Sequence, residues 1–221
     1  MRFRLFGTDI VAGFDALFLM GIFAWWGMGV ITSMVGVGVF ALLAFLSLLT
    51  HEFMHVFTGR MFKIPCRQIR VMFLGMGAHL EHMGKKPFQA FLIGFSGPLA
   101  SFALVGLILL SDHFFDIPGI AIPVLQLLLY FNFIVGVFNI LPLFPLDGGR
   151  VFHSIAWAVT KDRHKGLVAA VSVSHAFIVF GLGYLVFAGV NMFSLIWFSI
   201  IAFFLWQAGT AELINSHKED Q

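Results

Sequence analysis

Long apolar stretches alternate with short polar segments along this chain, and the apolar stretches decide its class. A helix needs about 20 predominantly apolar residues to cross the hydrocarbon core of a bilayer. Six stretches of the sequence are long enough. They lie near residues 11–32, 35–57, 88–110, 122–141, 167–189 and 191–211. The pattern therefore predicts an all-α polytopic membrane protein with six transmembrane helices.

The composition supports this class. Apolar residues make up 60% of the 221 residues and charged residues 11%, whereas a soluble domain has about 45–50% and 25%. The basic start followed by apolar residues is typical of a signal peptide, but no A-x-A-like cleavage site follows, and Asp9 and Asp15 interrupt the stretch. We expect this segment to remain as the first helix of a single domain over residues 1–221. The lone cysteine, Cys66, excludes an internal disulfide.

The distribution of basic residues predicts the orientation. With six spans, all 13 lysines and arginines fall on one side of the membrane, mostly in segments 58–87 and 143–166. Loop 111–121, on the other side, carries only Asp112 and Asp116. Because basic residues concentrate in cytoplasmic loops, we expect a multi-pass cell-membrane protein with both termini in the cytoplasm.

The second apolar stretch contains an H-E-x-x-H pattern formed by His51, Glu52 and His55. Ionisable side chains inside a bilayer cost roughly 2.5–3.5 kcal/mol each on insertion scales, so they are rare there without a function. Residues four apart share a helix face, so both imidazoles can bind one ion while Glu52 lies beside it. The pattern is typical of zinc metalloproteases, in which the glutamate is the general base. A chance match, or histidines that only join packed helices, remains the alternative.

A catalytic zinc ion has three protein ligands and one open position, which raises the question of a third ligand. At 1.5 Å per residue, His51 lies about 10 Å from the end of its helix near Thr58. Asp147 follows the fourth apolar stretch in FNILPLFPLDGGRVF (138–152), where prolines break the helix and two glycines permit a sharp reversal. On its own, this stretch is more simply explained as a surface turn in which Asp147 caps the next helix.

Together the two motifs resemble the site-2 protease family of intramembrane zinc metalloproteases, which pairs H-E-x-x-H with N-x-x-P-x-x-P-L-D-G-G. The matching positions are His51, Glu52, His55, Asn139, Pro142, Pro145, Leu146, Asp147, Gly148 and Gly149. The resemblance implies that Asp147 is the third ligand to one zinc ion per chain. It also implies that Asn139 holds the substrate strand or stabilises the oxyanion.

The segment between the motifs is also similar to this family. MFLGMGAHLEH (72–82) resembles its glycine-containing, membrane-associated β-hairpin, expected here between helices 2 and 3, and GFSGPLASF (94–102) resembles its A-G-P-L helix start. Ser96 stands where the family commonly has alanine, and Gly75-Met76-Gly77 replaces two adjacent glycines. The resemblance is closest to the branch that processes a sporulation transcription-factor precursor. We expect no PDZ domain and no nucleotide-sensing domain.

The resemblance implies a bacterial or archaeal endopeptidase that cleaves a peptide bond within or near the transmembrane segment of a membrane-anchored protein, in regulated intramembrane proteolysis. Its partners would be that substrate and the lipid bilayer, with no nucleic acid. A regulatory membrane partner or a homo-oligomer remains open.

Two alternatives remain. A non-catalytic metal carrier or scaffold would keep the ligands without needing Glu52, and an anchored protease would place its chemistry in a soluble domain. The second is weak because the motif lies inside an apolar run. His79 and His82, near the expected hairpin, are more simply surface residues than further ligands.

Overall fold

The computed structural model describes residues 2–72 and 75–219. In chain order the elements are β1 (Arg2–Leu5), β2 (Thr8–Val11), α1 (Phe14–Met28), α2 (Met34–Met61), β3 (Cys66–Met72), β4 (Gly75–Leu80), α3 (Pro87–Phe114), α4 (Ile122–Ile140), α5 (Asp147–Thr160), α6 (Arg163–Phe187) and α7 (Met192–Glu219). The predicted helical membrane class is confirmed, and the described residues add a small sheet of four strands.

Five of the described helices are long and apolar enough to cross a membrane, namely α2, α3, α4, α6 and α7. They coincide with the second to sixth predicted spans. Helix α1 has only 15 residues, because strands precede it and a turn follows Met28. The first span, and with it the count of six, stays a prediction.

One compact unit comprises Met1–Gly84 and Ser96–Val137. Its sheet has the order β1-β2-β3-β4, in which β2 and β3 are parallel and the other two pairs are antiparallel. The rings of Phe23 and Phe40 both meet Phe131 edge to face in the helical core. A second cluster around Val56 and Ile69 packs the sheet on the later half of α2. The sheet and the H-E-x-x-H helix therefore share one core.

The N-terminal strands are attached directly to the end of α2. The Arg60 guanidinium donates hydrogen bonds to Phe6 O (2.6 Å) and Thr8 Oγ1 (2.7 Å). The Phe6 ring also lies against the rings of Phe53 and Phe57. These contacts place the first strands on the same side of the membrane helix as β3 and β4.

A second compact unit comprises Lys85–Phe95 and Phe138–Gln221. Helices α5 and α6 pack closely here, since a Cβ on Gly166 would lie only 2.6 Å from Trp157 N. Phe144, in the loop before α5, packs against Leu167 and Val171 of α6. Its N–H donates a hydrogen bond to the buried Ser174 Oγ, 3.1 Å away. Helix α6 therefore fixes the loop that leads to Asp147.

Candidate metal centre

His51, Glu52 and His55 lie in the apolar helix α2 and are all buried, with 2%, 9% and 5% of their surfaces exposed. The two imidazoles are one helical turn apart, with ring centroids separated by 5.2 Å. The side-chain hydroxyls of Ser47 and Thr50, on the same helix, have their own partners, Asn132 Nδ2 and Leu46 O. The helix therefore presents a compact polar group in an otherwise apolar setting.

Helix α3 supplies a hydroxyl group to each imidazole. His51 Nδ1 lies 2.9 Å from Ser101 Oγ, and His55 Nδ1 lies 3.4 Å from Ser96 Oγ. Ser101 and Ser96 are themselves buried. Metal-binding histidines almost always donate their second ring N–H to such a partner, which orients the ring. Both Nδ1 atoms therefore face α3 hydroxyls, so Nε2 is the nitrogen through which each ring would bind an ion.

Gly97 lets both imidazoles approach helix α3 closely. A Cβ at this position would lie 2.5 Å from His51 Nε2 and closer still to His55 Nε2. Pro98, directly after it, lies inside α3 and removes one main-chain hydrogen bond of that helix. Only a residue without a side chain fits between this helix and the two rings.

Asp147 is the first residue of α5 and is buried. Two glycines shape the turn that leads into the helix. A Cβ on Gly148 would overlap the carbonyl oxygens of Ile140 and Leu141, and one on Gly149 would lie 2.8 Å from Leu143 O. Only glycine therefore allows the chain to fold back this tightly.

Two imidazoles and one carboxylate are a donor set typical of catalytic zinc, which keeps a fourth position for water or substrate. The side chains of His51, His55 and Asp147 could supply that donor set.

Glu52 is oriented by the sheet. The Ala78 N–H of β4 donates a hydrogen bond of 2.7 Å to Glu52 Oε2. Ala78 pairs with Ile69 of β3, and in an antiparallel ladder alternate residues direct their N–H groups away from the partner strand. Since this N–H reaches Glu52, the carboxylate lies along the edge of β4 that β3 leaves open.

Three further residues were candidates from the sequence, namely Asn139, His79 and His82. Asn139 is the penultimate residue of α4 and is half-buried. His79 Nδ1 lies 3.2 Å from Gly77 O, and His82 Nδ1 accepts a hydrogen bond from Gly84 N–H. Among the described residues, neither of these histidines joins the potential metal ligands.

The sequence pattern did not single out Ser101, Gly97 or Ala78 as parts of the site. Ser96, Gly97 and Ser101 are small residues on one helix. Gly97 and Ser101 are four positions apart, so they lie on the same face of that helix. That spacing was the only available signal, since small residues at membrane-helix contacts usually serve packing.

Comparisons with known proteins agree with this geometry. A sequence profile of peptidase family M50 matches residues 117–182. A candidate zinc metalloprotease of Synechocystis is 31% identical over 89% of this chain and 50% of its own length. A zinc metalloprotease of Methanocaldococcus jannaschii is 31% identical over 58% of this chain and 38% of its own length. The chain thus spans half or less of these curated relatives.

A solved structure provides the comparison for the fold. The site-2 protease from Methanocaldococcus jannaschii superimposes with a TM-score of 0.66 and covers 96% of this chain and 94% of its own. The sequence identity is 23%. The two chains therefore share a fold over nearly their whole lengths.

Proposed function

We propose that this chain is an intramembrane zinc metalloendopeptidase of the site-2 protease family, peptidase family M50. Its reaction is hydrolysis of a peptide bond within or near the transmembrane segment of a membrane-anchored protein. One observation carries this proposal: a carboxylate, Glu52, is buried beside the imidazole pair of His51 and His55 inside an apolar helix. The relatives that are named zinc metalloproteases support it.

In this proposal zinc is held by His51, His55 and Asp147. When bound, zinc supplies Lewis-acid chemistry, which polarises the scissile carbonyl and lowers the pKa of a water ligand. The chain's own contribution is to fix the ligand geometry, in which the two imidazoles pack closely against Gly97.

Glu52 is the general base in this proposal. Its carboxylate takes a proton from the attacking water and later passes that proton to the leaving amine. The hydrogen bond from Ala78 N–H fixes Oε2, so the carboxylate is already oriented before substrate binds. Such preorganisation matters because a general base must lie within hydrogen-bond reach of the proton that it removes.

The open edge of β4 is the proposed docking site for substrate. A helical substrate hides its carbonyl groups in intrahelical hydrogen bonds, so it must unwind locally before hydrolysis. An extended segment can pair with a strand edge by β-augmentation. Because the Ala78 N–H on this edge already contacts Glu52, a substrate strand on β4 would lie beside the base. Residues that weaken helices in the substrate should therefore favour cleavage.

The remaining assignments rest on the family resemblance and the charge distribution. We propose that Asn139, at the end of α4, contacts the substrate strand or the oxyanion. We also propose that both termini lie in the cytoplasm and that cleavage belongs to regulated intramembrane proteolysis. Kinship with the sporulation branch, the single-domain assignment, and any regulatory partner or homo-oligomer likewise remain proposals.

Replacement of Glu52 by glutamine tests the proposed chemistry. Glu52→Gln keeps size and helix propensity nearly unchanged but removes the proton acceptor, so cleavage should fall by about 10²–10⁴-fold. Zinc content should stay near one ion per chain. The assay is co-expression with single-span membrane proteins as reporters, read by the size of the reporter fragments, together with metal analysis of the purified protein.

Asp147→Ala is the matched comparison, because it should lose zinc as well as cleavage. Near-normal cleavage by a zinc-loaded Glu52→Gln protein would contradict the mechanism. Transport of metal ions that survives this change would indicate a carrier instead.

A further inference from the structure

We propose that Ser101 is a positioning residue for the metal centre, because its hydroxyl accepts a hydrogen bond from Nδ1–H of His51 and so holds the ring in the tautomer whose Nε2 can bind metal. This inference rests on the proposed zinc site and concerns how that site is held ready for the ion. Nothing in the H-E-x-x-H pattern assigns a role to Ser101, which is 50 residues away in the sequence.

The geometry is that of a buried hydrogen bond. Ser101 Oγ lies 2.9 Å from His51 Nδ1, the ordinary length for such a contact. Ser101 is 1% exposed and His51 is 2% exposed. A polar group buried away from water costs free energy unless it is hydrogen-bonded. The hydroxyl and the ring nitrogen therefore satisfy each other across the contact of α2 with α3.

The direction of this hydrogen bond decides whether the site can bind metal. A neutral imidazole has one N–H group and one lone pair. If Nδ1 donates to Ser101 Oγ, the lone pair is on Nε2 and can bind an ion. If the hydroxyl donated instead, Nε2 would carry the proton and could not bind an ion. Hence the metal-binding tautomer requires Ser101 Oγ as acceptor.

The two histidines are not held equally. Ser96 Oγ lies 3.4 Å from His55 Nδ1, which is beyond the usual range for a strong hydrogen bond. Ser101 should therefore matter more than Ser96 for the zinc affinity. This ranking separates a specific effect of the hydroxyl from a general effect of removing polar groups from α3.

The experiment measures zinc affinity of the purified full-length protein in detergent, by competition with a chromophoric chelator. Removing such a partner typically weakens metal binding by about 10–100-fold, and we expect this loss for Ser101→Ala. Ser96→Ala should show a smaller loss. Ser101→Thr keeps the hydroxyl and should restore most of the affinity.

Ser47→Ala is the matched control. Ser47 is also buried and lies one turn before His51 on α2, but its hydroxyl accepts from Asn132 Nδ2. Its removal should leave the zinc affinity near that of the wild type. Equal losses in Ser47→Ala and Ser101→Ala would indicate a packing effect and overturn the inference, as would an unchanged affinity in Ser101→Ala.

A spectroscopic measurement covers the case in which the variants do not fold. Nitrogen NMR of ¹⁵N-histidine-labelled, zinc-free wild type should show His51 protonated at Nδ1. Protonation at Nε2 would overturn the inference while leaving zinc binding by the wild type, and thus the proposed function, intact. A wild-type chain that bound no zinc at all would overturn the proposed function and this inference with it.

Discussion

At the scale of single residues, the metal centre depends on the glycine at position 97 as much as on its ligands. Gly97→Ala would place a methyl group 2.5 Å from His51 Nε2 and closer to His55 Nε2. The imidazoles would have to move, and they would then no longer be placed to bind one ion together. We expect zinc affinity to fall by at least about 100-fold, the upper end of what is lost when an outer partner is removed.

Gly106→Ala provides the control on the same helix, because a Cβ there meets no atom within 4 Å. Alanine is a better helix former than glycine by about 1 kcal/mol, so this variant should fold and bind zinc like the wild type. Metal analysis of both purified variants is the measurement. Full zinc occupancy in Gly97→Ala would contradict the requirement that both imidazoles pack directly against Gly97.

His51 and His55 could be predicted as candidate ligands because their signal is local: they are four residues apart in one helix. Asp147 became a candidate only through the family resemblance, since its own stretch is more simply explained as a surface turn. Gly97, Ser101 and Ala78 could not be predicted in the same way. Their roles arise from packing between segments that are 26 or 50 residues apart in sequence, and small residues carry little information about such contacts.

At the scale of elements, the N-terminal strands show where the hydropathy pattern is insufficient. Residues 11–32 read as one apolar span, and the preceding residues read as its basic flank. In the structure Phe6 and Gly7 both have positive φ, +47° and +72°, which a two-residue hairpin turn of type I′ needs. Phe-Gly is not one of the usual turn pairs, so β1 and β2 left no clear signal.

The edge of β4 carries the next prediction. Ala78→Pro removes the N–H that Glu52 accepts, and proline is tolerated on edge strands because the lost group faces away from the ladder. A base displaced by about 1 Å can cost 10²-fold in rate. We therefore expect kcat to fall by about 10²-fold on a reporter that the wild type cleaves, with zinc content unchanged.

Met76→Pro is the companion variant. Met76 is two residues before Ala78, and alternate residues of a strand direct their N–H groups to the same edge, so this variant removes another N–H from the open edge of β4. If this edge binds substrate, Met76→Pro should raise KM more than it lowers kcat. Identical kinetics in the two proline variants would argue that Ala78 serves the strand alone and that Glu52 does not depend on it.

At the scale of the whole molecule, the sheet restricts the topology. Strands β2 and β3 pair in parallel through Ile10 with Ile69 and Val11 with Arg70. The chain between Val11 and Cys66 therefore starts and ends on the side of the membrane where the sheet lies. Two membrane spans in succession, as the sequence predicts, would produce this path. Helix α1 is short, but five residues separate its end at Met28 from the start of α2 at Met34. These residues add to the length of chain available for the first crossing. This connection is compatible with an even number of crossings.

Cysteine accessibility tests the predicted orientation. Lys85→Cys and Lys161→Cys lie in segments that carry ten of the 13 basic residues, so a membrane-impermeant maleimide should label them only after the cells are opened. Asp116→Cys, in the loop that carries only acidic charges, should be labelled in intact cells.

The native cysteine, Cys66, should react only slowly with the maleimide, so the background labelling in this assay should be low. Burial raises the pKa of the Cys66 thiol, and Glu52 acts in the same direction, so the thiol stays protonated at neutral pH. Since the thiolate is the species that reacts, labelling of Cys66 should be slow, and Cys66→Ser removes the remainder. Labelling of Lys85→Cys from outside would place 58–87 on the external face. It would then also place the end of α2 at Met61, ten residues beyond His51, on the external face.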